Sequence, residues 1–73
     1  IPRPPNAFML YRSDFLKKGI IPPDIESKQQ NISRVVGACW KRLSSVEQSV
    51  WRTLAKHKEM EHAIMYPDYQ YKP

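Results

Sequence analysis

One cysteine, Cys39, leaves this chain without any partner for an internal disulfide. A reducing intracellular compartment is expected. Glycine is as scarce: Gly19 and Gly37 are the two in 73 residues, and no glycine-rich phosphate loop exists. No apolar run is long enough to span a bilayer. No signal-peptide pattern opens the chain, and no internal repeat or low-complexity tract interrupts it. Paired carboxylates and nucleophile–base arrangements are missing too, so an enzyme is not expected and no cofactor is implied. Both ends are expected to be cut boundaries of a longer chain.

Acidic residues are the next shortage. Seven Asp/Glu face twelve Lys/Arg, giving a net charge of +5. The imbalance is local. Residues 1–43 hold eight cations against three acids, whereas residues 44–73 hold four against four. A basic face is expected in the first part, with a nearly neutral scaffold after it. Such a face suits a polyanion, nucleic acid before an acidic membrane. With 41% hydrophobic residues the chain can fold, and its length suits one domain over residues 1–73.

The opening Ile1-Pro2-Arg3-Pro4-Pro5 cannot be helical and is expected to be extended. From about Asn6 to Lys18, Phe8, Tyr11 and Phe15 recur at helical spacing, and Lys17-Lys18-Gly19 reads as a C-terminal cap. Residues 19–28, with Pro22 and Pro23, form a linker. A second helix is predicted from Ser27 or Lys28 to Arg42, with Ile32, Val36, Trp40 and Leu43 on one face. Ser27 and Gln30 resemble a weak capping box, whereas Ser44-Ser45-Val46-Glu47 is a clear one. The third helix then runs to about Met65. Val50, Leu54 and Ile64 share a broad face, with Trp51, Ala55 and Met60 beside it. Pro67 stops it, and the tyrosine-rich tail is expected to be extended, beside the N-terminal strand. Tyr66 and Tyr69 are expected to pack on the third helix and that strand.

The sharpest motif is Arg3-Pro4-Pro5-Asn6-Ala7-Phe8-Met9-Leu10-Tyr11. An arginine on an extended strand is drawn to the negative potential of a DNA minor groove, and an Asn amide can hydrogen-bond groups on its floor. An apolar wedge then pries one base step open. Phe8 and Met9 lie about 100° apart on a helix. Phe8 shares the core face with Tyr11 and Phe15, and Met9 points elsewhere. Two destinations stand open for Met9: a wedge against DNA, or a place under the loop at residues 20–25. Trp40 and Trp51 are assigned to the core, because they share faces with apolar residues and large aromatics dominate small cores. His57 and His62 are separated by about 140° of helix rotation, so no metal site is expected. Cys39, mid-helix beside Trp40, is expected to be inert.

The first motif resembles the start of the HMG boxes of SOX proteins and fungal mating-type proteins. Asn31-Ile32-Ser33-Arg34-Val35-Val36-Gly37-Ala38-Cys39-Trp40-Lys41 resembles their second helix, and Tyr66-Pro67-Asp68-Tyr69-Gln70-Tyr71-Lys72-Pro73 their tail. The wording around Pro4-Pro5-Asn6-Ala7-Phe8-Met9-Leu10-Tyr11-Arg12 is closer to the fungal branch. The resemblance implies an all-α, three-helix, L-shaped box. Its first two helices form an antiparallel pair, its third helix carries the N-terminal strand and the tail, and Phe8, Tyr11, Phe15, Trp40 and Trp51 meet at the corner.

The resemblance also implies a nuclear transcription factor that binds double-stranded DNA in the minor groove, favours ATTGT or ACAAT-type sites and bends them. Asn6 would read bases, and Met9 backed by Phe8 would intercalate partially. Ser33, with Gln29 and Gln30, would contact the groove further along. Tyr71 and Lys72 would follow the backbone, and Arg3 and Arg34 would meet phosphate or the groove edge. Animal SOX boxes carry basic residues in mid-helix 1 where this chain has Ser13 and Leu16, with Arg12 left to supply charge there. Gln29-Gln30 also replaces their Asn-Ser pair. A monomeric box is expected, with a partner transcription factor possible and no membrane contact. The competing expectations are an architectural DNA-bending box with little sequence preference, or a helical protein-interaction module. A homeodomain is weaker, because its third helix would have to be basic.

Overall fold

The computed structural model describes residues 2–19, 21, 24 and 29–70, with Gln29 described by its backbone alone. The expectations for Ser27, Lys28, Tyr71 and Lys72 lie outside them. Among the described residues there are three helices and no strand: α1 (Ala7–Lys17), α2 (Gln29–Arg42) and α3 (Ser45–Met65). They agree with the three helices read from periodicity. The molecule measures 41 × 28 × 21 Å along its principal axes.

Three helix ends have a local cause in their residues. Asn6 is extended, and its Oδ1 accepts a 2.9 Å hydrogen bond from the Met9 N–H, which caps α1. Lys18 closes that helix, and Gly19 follows at φ +66°, a left-handed turn that glycine adopts without a Cβ penalty. Ser44 begins α3 with a full capping box. Its Oγ accepts from the Glu47 N–H at 3.1 Å, and Glu47 Oε1 accepts from the Ser44 N–H at 3.2 Å. This is the reciprocal pairing expected of Ser44-Ser45-Val46-Glu47.

The core is small. Phe15, Ile21, Ile32 and Val36 are buried, and Phe8, Tyr11, Leu16 and Cys39 pack around them. Ile21 sits in the linker, where no periodicity marked it as a core residue. An aromatic corner adjoins this cluster. Tyr11 is its hub, with ring centroids 5.3 Å from Trp40, 5.6 Å from Trp51 and 5.9 Å from Phe15. Phe8 meets Trp40 edge-on at 6.1 Å. The five aromatics expected at the corner are therefore there. Gln48 adds a polar tie, its Nε2 donating to the Trp40 carbonyl at 2.8 Å across the α2–α3 joint.

The apolar face of α3 departs from expectation. Val50, Leu54, Met60 and Ile64 share a face, yet all four are exposed. Trp51 reaches the core because its own azimuth points at Tyr11, not because it lies beside Val50 and Leu54. The inward face of α3 is made by Gln48, Trp51, Ala55 and His62, all half-buried.

Candidate nucleic-acid interface

Among the described residues, the cations of the first part are spread over three segments: Arg3 before α1, Arg34, Lys41 and Arg42 on α2, and Arg12, Lys17 and Lys18 on and just after α1. The α1 group adjoins a concavity of that helix. Met9, Arg12, Ser13, Leu16 and Lys17 line an open depression there. This grouping follows from helical spacing, since residues three and four apart share a face.

Met9 is 41% exposed and lines that open surface, one of the two destinations left open for it. Its neighbour Phe8 is half-buried against Trp40. Asn6, one turn earlier, has one Oδ1 lone pair committed to the Met9 N–H. Its NH2 is left to donate outward, as is suitable for the acceptors of a minor-groove floor. The same hydrogen bond fixes the Asn6 side chain relative to Met9.

On α2, Gln30, Ser33 and Arg34 are exposed, and none of them lines the Met9 depression. They form a second polar patch beside the buried face made by Ile32 and Val36. Arg3 is exposed on the non-helical segment before α1. The structure thus brings Met9, Arg12 and Ser13 together, sets Asn6 one turn away, turns Phe8 to Trp40 and the core, and leaves Arg3 and the α2 residues as separate patches.

The tail is not extended as expected: the Tyr69 N–H donates to the Tyr66 carbonyl at 3.0 Å, closing a turn over Pro67 and Asp68. Residue reasoning also missed what holds the two ends. His62 Nε2 lies 2.7 Å from the Pro2 carbonyl, and the His62 ring packs at 5.0 Å on Tyr66 and at 4.5 Å on Tyr69. Arg3 and Pro4 of the N-terminal segment line a groove together with His62 and with Tyr66, Pro67 and Tyr69 of the tail. Tyr66 and Tyr69 therefore pack where the sequence placed them. The signal for His62 was its position one helical turn before Tyr66. Among the described residues no group of three metal-ligating side chains comes together, and no helix is long and apolar enough to cross a membrane.

The model of the HMG (high mobility group) box family matches residues 1–70. The chain belongs to the HMG box family. Across its full length it is 41% identical to the HMG-box protein STE11 of Pneumocystis carinii, of which it covers 14%. Over 99% of its length it is 36% identical to the mating-type M-specific polypeptide Mc of Schizosaccharomyces pombe, covering 39% of that protein. It is also 34% identical, over its full length, to transcription factor SOX-6 of Pongo abelii, covering 9% of it. No solved structure matches the chain. Its similarity runs to both fungal and SOX-type HMG boxes, as the motifs indicated, and the family is not one of enzymes. The HMG box here is a small part of the length of each of these relatives.

Proposed function

We propose that this HMG box is the DNA-binding module of a nuclear transcription factor, of fungal mating-type or SOX-like kind. It binds the minor groove, favours ATTGT or ACAAT-type sites and bends them. The relatives named for mating type and transcription support the role. The observation that carries the mechanism is Met9: an exposed apolar side chain whose backbone N–H is bonded to Asn6 and which is flanked by Arg12 and Ser13.

Each neighbour has a task. Met9 enters one base step, with unstacking costing a few kcal/mol that the wider contact of a bent duplex offsets. Asn6 donates its amide to base acceptors next to that step. Arg12 and Ser13 engage the adjoining backbone. Gln29, Gln30, Ser33 and Arg34 extend the contact along the groove, with Arg3, Tyr71 and Lys72 contributed from the two ends. Affinity falls with salt as phosphate contacts release counterions.

The test pairs an ATTGT-type duplex with a scrambled one at the same salt. The scrambled duplex is expected to bind about tenfold weaker or worse, the effect of one or more mismatched positions. Equal affinities would instead mark an architectural box. Met9→Ala is expected to reduce the bend, measured by end-to-end fluorescence transfer, while the thermal melt stays within about 0.5 kcal/mol of wild type because the side chain is exposed. Full bending by Met9→Ala would remove the wedge from the mechanism.

A further inference from the structure

The exposed face of α3 is an ordered seam. Val46, Val50, Thr53, His57, Met60 and Ile64 follow one another at spacings of four, three, four, three and four. All six are exposed, Val46 by 72%, Val50 by 62%, Met60 by 57% and Ile64 by 80%. This is a heptad pattern with Val50, His57 and Ile64 at a and with Val46, Thr53 and Met60 at d. The inward residues Gln48, Trp51, Ala55 and His62 fall at b and f, on the far side of the helix from the seam. The seam is about 27 Å long at 1.5 Å per residue. Apolar exposure of this extent marks an interaction surface.

Charge decides what fits it. The seam is flanked at g by Ser49, Lys56 and Ala63, and at e by Glu47, Leu54 and Glu61. In a parallel pair of such helices a g residue meets the e residue five positions on in its partner. Lys56 then faces Glu61 of the second copy, twice by symmetry, and Ser49 faces Leu54. In an antiparallel pair e meets e and g meets g. Glu47 would face Glu61, and Lys56 would face Lys56, so every charged contact would be repulsive. The flanks therefore favour one orientation and reject the other. Two polar seam residues, His57 at a and Thr53 at d, lower the strength of the pair, and a polar a residue fixes its register. Glu61 is held by Lys58 only at 3.8 Å, on an exposed pair, so its carboxylate is available.

We propose that α3 pairs with α3 of a second copy of this chain, as a parallel two-stranded seam from Val46 to Ile64 with reciprocal Lys56–Glu61 contacts. The helix is already formed and capped, so pairing carries no cost of helix nucleation. None of the seam residues lines the Met9 depression, so both surfaces are open at once. This departs from the monomeric box expected from the sequence, and it does not rest on DNA binding.

Sedimentation equilibrium of the chain without DNA, from about 1 µM to about 1 mM, brackets weak association. The wild-type average mass is expected to climb from 8.6 kDa toward double that value. Lys56→Glu is expected to shift the rise to higher concentration, and Lys56→Glu with Glu61→Lys to restore it. His57→Leu is expected to move it to lower concentration while the mass still levels off at the dimer value, which separates pairing from aggregation. A wild type that stays at the monomer mass overturns the proposal and leaves the seam to a different protein. A Lys56→Glu variant that associates like wild type, or a double variant that fails to recover, overturns the parallel arrangement.

Discussion

The two ends of α3 are held by different chemistry. Near its N-terminus, Trp51 joins a cluster of rings from three helices, next to a core that excludes water from Val36 entirely. Near its C-terminus, the described partners are the non-helical N-terminal segment and a turn of the tail, held by one hydrogen bond to Pro2 and by ring contacts of His62 with Tyr66 and Tyr69. The corner joins segments that already have their own hydrogen bonds. The far end orders segments that have few. The corner should therefore set global stability, and the far end should open by itself.

The largest effect follows at the corner. Trp51→Ala removes the ring that ties α3 to Tyr11. Burying less than a whole tryptophan places the loss near the low end of the range for large aromatic truncations, about 3 kcal/mol. For a 73-residue domain that is a large share of the total stability. Urea unfolding followed by circular dichroism measures it. A loss under about 1 kcal/mol would break the contrast, because the corner would then be no stronger than a single hydrogen bond.

Legibility in the sequence follows the same division. The end of α1 and the start of α3 were readable because they carry caps with fixed chemistry: Gly19 and the Ser44–Glu47 box act as residue type and spacing indicated. The corner aromatics were readable from a period of three and four. Ile21 was not, because a single apolar residue in a linker has no periodicity, and its burial is decided by the helices that close over it. The outer face of α3 misled for the opposite reason. A stripe at helical spacing shows only that residues share a face, and nothing local says whether a neighbour covers it. At the interface, spacing grouped Met9 with Arg12 and Ser13, but it did not reveal that Asn6 caps the helix through Oδ1.

The middle effect sharpens the far end. His62→Ala deletes the donor to Pro2 and both ring contacts. The expected loss in global unfolding is about 1 kcal/mol, the worth of one exposed hydrogen bond with some packing. The more telling readout is local. Limited proteolysis should nick the strand before Asn6 and the chain after Tyr66 faster than in wild type, while amide exchange in α1 and α2 stays unchanged. If α1 exchange rises in step, the two ends of α3 form one cooperative unit and the division fails.

The smallest effect probes the corner through a proton. Burial pushes the Tyr11 hydroxyl above its ordinary value of 10.0, with Cys39, Glu47 and Asp14 adding in the same direction and Lys18 opposing. The folded chain therefore holds the Tyr11 proton more tightly than the unfolded chain does. By linkage this contribution is fully present below the ordinary tyrosine value, and it is lost as pH rises through 10.0 toward the higher folded value. Above the ordinary value the unfolded state sheds the proton first and is favoured. Tyr11→Phe keeps the ring contacts with Trp40, Trp51 and Phe15 but has no proton to lose. Lysine titration affects both proteins alike, so the comparison isolates Tyr11. Urea midpoints taken from neutral to alkaline pH should fall more steeply for wild type than for Tyr11→Phe. Parallel curves would mean that the hydroxyl is as well hydrated in the fold as in the unfolded chain, and that the corner is open to water at its hub.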